Sequence, residues 1–186
     1  MRLKNFVWTF EGALSSEECD RIIKYGLTQD PIPAKTGKGN VSVNRDSEVT
    51  WLYDKWILDL INPYVDIANT SAGWNFQWEP VPQLQFTKYG VGQFYNWHRD
   101  TFSRPGKDGK IRKLSVTVNL NDGYEGGDMY FDPENKYGIT NPVLCEQLKP
   151  RGSISVFPSD IWHKVDKVIT GTRYSLVMWL KGEPFK

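Results

Sequence analysis

With 186 residues, 39% of them hydrophobic and 14% aromatic, the chain can fill the core of one compact unit, which excludes wholesale disorder. A net charge of +1 gives no general attraction to phosphate backbones or acidic membranes, and so argues against nucleic acid as a partner. No apolar run is long enough for a transmembrane helix and residues 1–10 are too short in apolar run for a signal peptide, so the expectation is one cytoplasmic domain over residues 1–186, with Cys19 and Cys145 as unpaired thiols.

In chain order, Ser15, Ser16, Glu17 and Glu18 offer a helix N-cap, with Glu18 placed for a capping box. Cys19, Ile22, Ile23 and Leu27 follow at helical spacing, and Gly26 and Pro31 mark the end. Residues 30–48, rich in Pro, Gly, Lys, Asn and Ser, read as a long loop, and loops of that length in a small domain are usually functional or mobile. A second helical stretch covers 51–68, with Trp56, Leu60, Tyr64 and Ile67 near one face. At Pro63 either that helix kinks or Asn62 caps a further one. From about residue 82 the pattern changes to short alternating segments: 83–89, 93–98, 114–120, 128–132, 143–147, 153–157, 161–165 and 173–180. Gly, Pro, Asn and Asp turns separate them. The spacing predicts a mainly β fold, with a helical N-terminal part at about 1–80 and a two-sheet jelly roll at about 81–182, the helices packed on one sheet. Residues 101–113 form a charged, Gly-containing insertion.

The chain has two histidines. His98 lies in Trp97-His98-Arg99-Asp100, and side chains two apart on an extended strand share a face, so His98 and Asp100 can hold one ion together. His163, from a distant segment, completes two imidazoles and a carboxylate, a set that suits high-spin iron(II) and leaves three coordination positions open. Taken alone, a His-x-Asp pair is commonplace near turns. Arg173, beyond the Thr170-Gly171 turn, is placed to open the strand beside His163 and point into the same interior. A buried Arg needs an anionic partner, either a structural carboxylate or a dicarboxylate co-substrate held through a forked pair of hydrogen bonds.

Tyr89-Gly90-Val91-Gly92-Gln93-Phe94-Tyr95-Asn96-Trp97-His98-Arg99-Asp100 resembles the motif that leads into His-x-Asp in the prolyl 4-hydroxylase-like branch of the iron(II)- and 2-oxoglutarate-dependent dioxygenases. Glu125-Gly126-Gly127-Asp128-Met129-Tyr130-Phe131 resembles the family's Gly-Gly-acid strand. Phe157-Pro158-Ser159-Asp160-Ile161-Trp162-His163 is similar to its distal-histidine segment, and Gly171-Thr172-Arg173 through Trp179-Leu180 to its final strand. The stretch from Val43 to Val49 is similar in a less specific way. The resemblance implies that His98, Asp100 and His163 ligate Fe(II), that Arg173 binds the far carboxylate of 2-oxoglutarate, and that Tyr89 and Asn119 also contact this co-substrate. Met129 becomes apolar wall, Tyr95 and Trp179 packing residues around the site, and Arg99 points away from it.

By the same resemblance O2 is the second co-substrate, ascorbate (vitamin C) a candidate reductant, and succinate and CO2 the products. The implied substrate is a peptide or protein with an exposed proline, hydroxylated at C4. The flanking aromatics Tyr95, Trp97, Phe102 and Trp162 suit a proline ring or are core. Three alternatives stand beside this reading: hydroxylation of a free amino acid or small metabolite, nucleic-acid demethylation, and a non-catalytic barrel that binds without turnover. The intact Asp100 argues against halogenation, which needs that position vacant.

Overall fold

Alternation of apolar and polar side chains governs the β part of this chain, and the computed structural model describes residues 5–34, 44–79, 81–101, 104–134 and 141–185 of it. The first strand, β1, is Trp8–Phe10, followed by helix α1, Ser16–Leu27. The capping box forms: the Ser15 hydroxyl accepts from Glu18 N–H, and Glu18 Oε2 accepts from Ser15 N–H at 2.7 Å. Strands β2 (Ile32–Pro33), β3 (Arg45–Asp46) and β4 (Glu48–Leu52) come next, and then helix α2, Lys55–Ser71. The remaining strands are β5 (Leu84–Tyr89), β6 (Phe94–His98), β7 (Ile111–Asn119), β8 (Glu125–Gly126), β9 (Met129–Asp132), β10 (Val143–Leu144), β11 (Ile154–Pro158), β12 (Trp162–Val165), β13 (Val168–Thr170) and β14 (Arg173–Gly182).

Two antiparallel sheets result among the described residues. The larger runs β1-β11-β7-β14-β5-β4-β2 and the smaller β10-β9-β12-β6-β3, while β13 pairs with β8. This is the jelly roll the sequence predicts. Its larger sheet has two chemically distinct faces. Leu84 and Phe86 of β5, Leu114, Val116 and Val118 of β7, and Leu176, Met178 and Leu180 of β14 pack with Cys19 and Ile22 of α1 and with Ile57, Ile61, Val65 and Ala68 of α2. The residues between them, Gln85, Thr87, Ser115, Thr117, Arg173 and Ser175, are polar and buried on the opposite face. Both helices therefore cover one side, and the polar interior lies between the two sheets.

Several expectations need correction. The second helix starts at Lys55, because Trp51 and Leu52 belong to β4. Pro63 does not divide it, so Asn62 caps no further helix. Pro63 and Asp59, whose carbonyl loses its partner, both lie on the solvent face, where water replaces the missing bond. The buried stripe of α2 is rotated from the predicted one: Ile67 is 50% exposed, while Ile57, Leu58 and Ile61 are buried. Gly26 sits within α1, and a Cβ there would approach the Phe86 ring to 2.6 Å, so glycine allows the helix to contact β5. Leu27 faces outward.

Segment 143–147 is strand for two residues and then a 3-10 turn, Glu146–Leu148. The loop predicted over 30–48 contains β2, β3 and the start of β4; its residues 35–43, including Val43, lie outside the described residues. The insertion at 101–113 is shorter than predicted because β7 begins at Ile111; a turn closed by Gly106 N–H to the Lys110 carbonyl (2.9 Å) precedes it. Phe102 lies outside the described residues. Cys19 and Cys145 are free and buried, and no described helix is long and apolar enough to cross a membrane.

Candidate active site

His163 lies on β12 and His98 at the end of the neighbouring β6, directly paired in the ladder. From His163 to Val165 the chain advances two residues, but its partner runs three, from His98 to Tyr95. The extra residue is a bulge, and it turns both Tyr95 and His98 inward. Their rings stack at 3.5 Å with an interplanar angle of 12°. Asp100 follows just beyond the strand, its N–H bonded to the Ser159 carbonyl at 2.9 Å. The ligand-capable atoms of His98, Asp100 and His163 all lie within 4.8 Å of one another.

Hydrogen bonds fix how the imidazoles face. His98 Nδ1 meets the Asn96 carbonyl at 2.7 Å and His163 Nδ1 the Ile161 carbonyl at 2.9 Å. A carbonyl only accepts, so each Nδ1 carries a proton and each Nε2 is turned toward Asp100. Those Nε2 atoms stand 3.6 and 3.5 Å from the Asp100 oxygens. Burial, and then the neighbouring His163, push the His98 pKa down to about 3, so the ring is neutral. Burial works against the Asp100 charge, but His163, His98, a hydrogen bond from Ser115 and the Arg112 guanidinium together hold it below the ordinary carboxylate range. Two imidazoles and one carboxylate converging on a point are a divalent-cation donor set.

Arg173 opens β14 opposite Tyr89 of β5. It is 2% exposed, and its guanidinium lies 5.5 Å from the Tyr89 ring. Its Nε has no hydrogen-bond partner, and it makes no ion pair among the described residues. Gly127 leaves room for it: at φ +60° a Cβ there would sit 2.8 Å from Arg173 Cδ. Arg173 and Tyr89 line the same pocket as His98, Asp100 and His163. Met129, Phe157 and Val165 form an apolar wall, and Gln85, Thr117 and Ser175 a polar one. A buried cation with an unused donor beside a metal-ligand set fits an acid bound next to a metal.

Asn119 is placed elsewhere. Its amide nitrogen donates to the carbonyls of Asn121 and Lys149 and its oxygen accepts from the Tyr124 hydroxyl, so the side chain ties the β7–β8 loop to the segment before β11, outside the pocket lining. Trp97 and Trp162 are also not in the lining. Both lie on the outer face of the smaller sheet, Trp97 under Lys164 (5.5 Å) and Trp162 under Arg99 (5.2 Å). The bulge spends its inward positions on Tyr95 and His98, and Trp162 precedes an inward His163. Arg99 points away, as expected.

Sequence reasoning missed Arg45. It is 6% exposed, its Nε donates to Ser47 Oγ at 2.8 Å, its guanidinium lies 4.5 Å from the Tyr95 ring, and its Nη2 has no partner among the described residues. Trp179, read as packing, presents an unpartnered buried Nε1–H to the same pocket. Gln85, Thr117 and Ser175 were missed too, though a polar residue at every second position of three strands was the available signal. Burial, with Arg45 acting against it, pushes the Tyr95 phenol up to about 12.

Residues 84–181 match the sequence profile of the 2OG-Fe(II) oxygenase superfamily. A PKHD-type hydroxylase of Shewanella baltica is 28% identical over 152 residues, covering 80% of this chain and 62% of that relative, so the match spans less than two thirds of the relative's length. A Pseudomonas putida prolyl-4-hydroxylase structure is similar with a TM-score of 0.70 at 18% identity, over 97% of this chain and 95% of that one. A Trichoplax adhaerens prolyl hydroxylase, solved with a hypoxia inducible factor oxygen degradation domain peptide fragment, reaches 0.73 at 19% identity, over 95% and 84%. Identities this low speak for the fold alone, whereas the profile covers the strands that carry His98, His163 and Arg173. On that match the chain belongs to the 2OG-Fe(II) oxygenase superfamily.

Proposed function

We propose that this protein is an Fe(II)- and 2-oxoglutarate-dependent hydroxylase of proline, acting at C4 of the ring in an exposed peptide or protein segment and releasing succinate and CO2. The observation that carries the reading is a converging His98–Asp100–His163 set in one pocket with a buried Arg173 that makes no ion pair among the described residues. In this reading the two Nε2 atoms and the Asp100 carboxylate hold the iron. Arg173 takes the far carboxylate of 2-oxoglutarate, with Tyr89 packed beside it. Iron with its two co-substrates supplies the oxidising power when bound; ascorbate serves as reductant. The chain itself orients: Met129, Phe157 and Val165 exclude water, and Arg45 Nη2 and Trp179 Nε1 offer donors to substrate oxygen atoms. The peptide substrate draws support from the Trichoplax adhaerens neighbour, which was solved with a peptide bound.

A second reading, hydroxylation of a free amino acid, rests on Arg45: a guanidinium in the same pocket whose Nη2 has no partner among the described residues suits a free carboxylate. One experiment separates them. Iron-loaded protein is incubated with 2-oxoglutarate and a panel of proline peptides, C-terminal amides and acids, and free amino acids, and products are sited by mass spectrometry. The expected result is succinate formation coupled to a gain of one oxygen on internal proline. Turnover confined to free amino acids would replace the peptide reading, and no succinate with any substrate would remove both.

A further inference from the structure

A polar side chain on a buried wall is costly unless its groups find partners, and Gln85 of β5 keeps its amide oxygen unmatched. The side chain is buried and lines the pocket. Its Nε2 donates to Thr87 Oγ1 at 2.9 Å, and Thr87, also buried, lies outside the lining. That bond anchors the nitrogen to the wall. Oε1, an acceptor with no partner among the described residues, is left for the pocket.

Register places Gln85 at the end of the pocket away from Arg173. Arg173 pairs with Tyr89, four residues along β5 from Gln85 and roughly 13 Å at the rise of a strand. Gln85 pairs with Val177, so Trp179, two residues on and on the same face of β14, is its diagonal neighbour, within reach of long side chains. Trp51, beside Gln85 on β4, has its ring 6.1 Å from that of Trp179 and joins the group. The Trp179 Nε1–H is buried in the same pocket and has no partner among the described residues. One acceptor and one donor thus stand as neighbours, a pair that fits a group with one N–H and one C=O.

We propose that Gln85 and Trp179 read the peptide unit that follows the target proline, so that the next residue must carry a backbone N–H. This rests on the peptide reading given under the proposed function. A trans peptide unit holds its C=O and N–H on opposite edges, so one unit lying between the two side chains meets Trp179 with its oxygen and Gln85 with its hydrogen. Proline is flanked by two such units. The preceding one contains the proline nitrogen and has no N–H, so only the following one offers both groups. A proline followed by a second proline lacks the donor and leaves Gln85 Oε1 buried and unmet. Gln85 is in this way a specificity-determining residue, and it selects on the neighbour of the target rather than on the target itself.

The test uses the iron-loaded full chain with 2-oxoglutarate and O2. Three peptides share one target proline, followed by alanine, by proline, or by lactate, whose ester oxygen replaces the N–H. Hydroxylation at the target is sited by mass spectrometry, and kcat/KM is compared. The parent is expected to favour the alanine peptide over the other two by roughly 10–100-fold, the consequence of leaving a buried acceptor unmet. Gln85→Leu should lose most of that preference, and Gln85→Glu, which keeps an acceptor, should retain it. The comparison of peptides on the parent gives an answer whether or not Gln85→Leu folds. Equal kcat/KM for the alanine and ester peptides in the parent, or an undiminished preference in Gln85→Leu, would overturn the assignment while peptide hydroxylation stands. Hydroxylation of no proline peptide by the parent would overturn the peptide reading and this inference with it.

Discussion

A guanidinium that is 2% exposed and has no ion pair among the described residues is costly to the folded chain unless something arrives to meet it. Arg173→Ala is therefore expected to raise the requirement for 2-oxoglutarate by roughly a hundredfold, on the order of 3 kcal/mol, with Lys restoring part of it because it lacks the planar fork. The check is the KM for 2-oxoglutarate beside direct binding of the acid to metal-loaded protein. Gly127→Ala should mimic this more weakly, by pushing on Arg173 Cδ. His98 sets a pH dependence. Its folded pKa is depressed from 6.5 to about 3, so the unfolded chain takes up a proton first as pH falls. Stability is present above 6.5 and lost between 6.5 and about 3, and the depressed Asp100 continues the loss in the same direction. Melting of metal-free protein across that range should show the decline, and His98→Gln should flatten its upper part. Of the residues named from sequence, His98, Asp100, His163, Arg173 and Tyr89 meet in one pocket. Asn119 does not, because its position on β7 was legible but the two loops that claim its amide were not.

At the scale of elements, legibility followed length and alternation. β5, β7, β11, β12 and β14 could be read because each carries several turns of the two-residue period. β2, β3, β8 and β13 are two or three residues long, too short to hold a period, and they exist because a neighbouring strand supplies their hydrogen bonds. Arg45 was lost to sequence for this reason. The β6 bulge was equally hidden, since nothing in Tyr95-Asn96-Trp97-His98 announces an extra residue until β12 lies beside it. Gly26 misled because a helix-ending residue and a close-packing residue are the same letter. Gly26→Ala is expected to destabilise the protein by about 1–3 kcal/mol through overpacking against Phe86, measured by denaturant unfolding, with co-substrate binding unchanged in the folded fraction.

Across the whole molecule the candidate ligands are divided between the sheets. His98 and His163 come from the smaller sheet and Arg173 from the larger. An acid that touches both the metal and Arg173 would bridge them. Metal and 2-oxoglutarate together should raise the melting temperature by more than the sum of each alone, and Arg173→Ala should abolish the excess but keep the metal's own effect. The last strand shows how tightly these roles are interleaved. Arg173, Ser175, Val177 and Trp179 face the pocket, while Leu176, Met178 and Leu180 face the helices. β14 is thus written in a reading frame of two. A one-residue deletion at Thr172 that lets the strand slide would send Arg173 under the helices and bring Tyr174 into the pocket, failing in fold and chemistry at once. A slide of two would keep every side chain on its own face and misplace only the register.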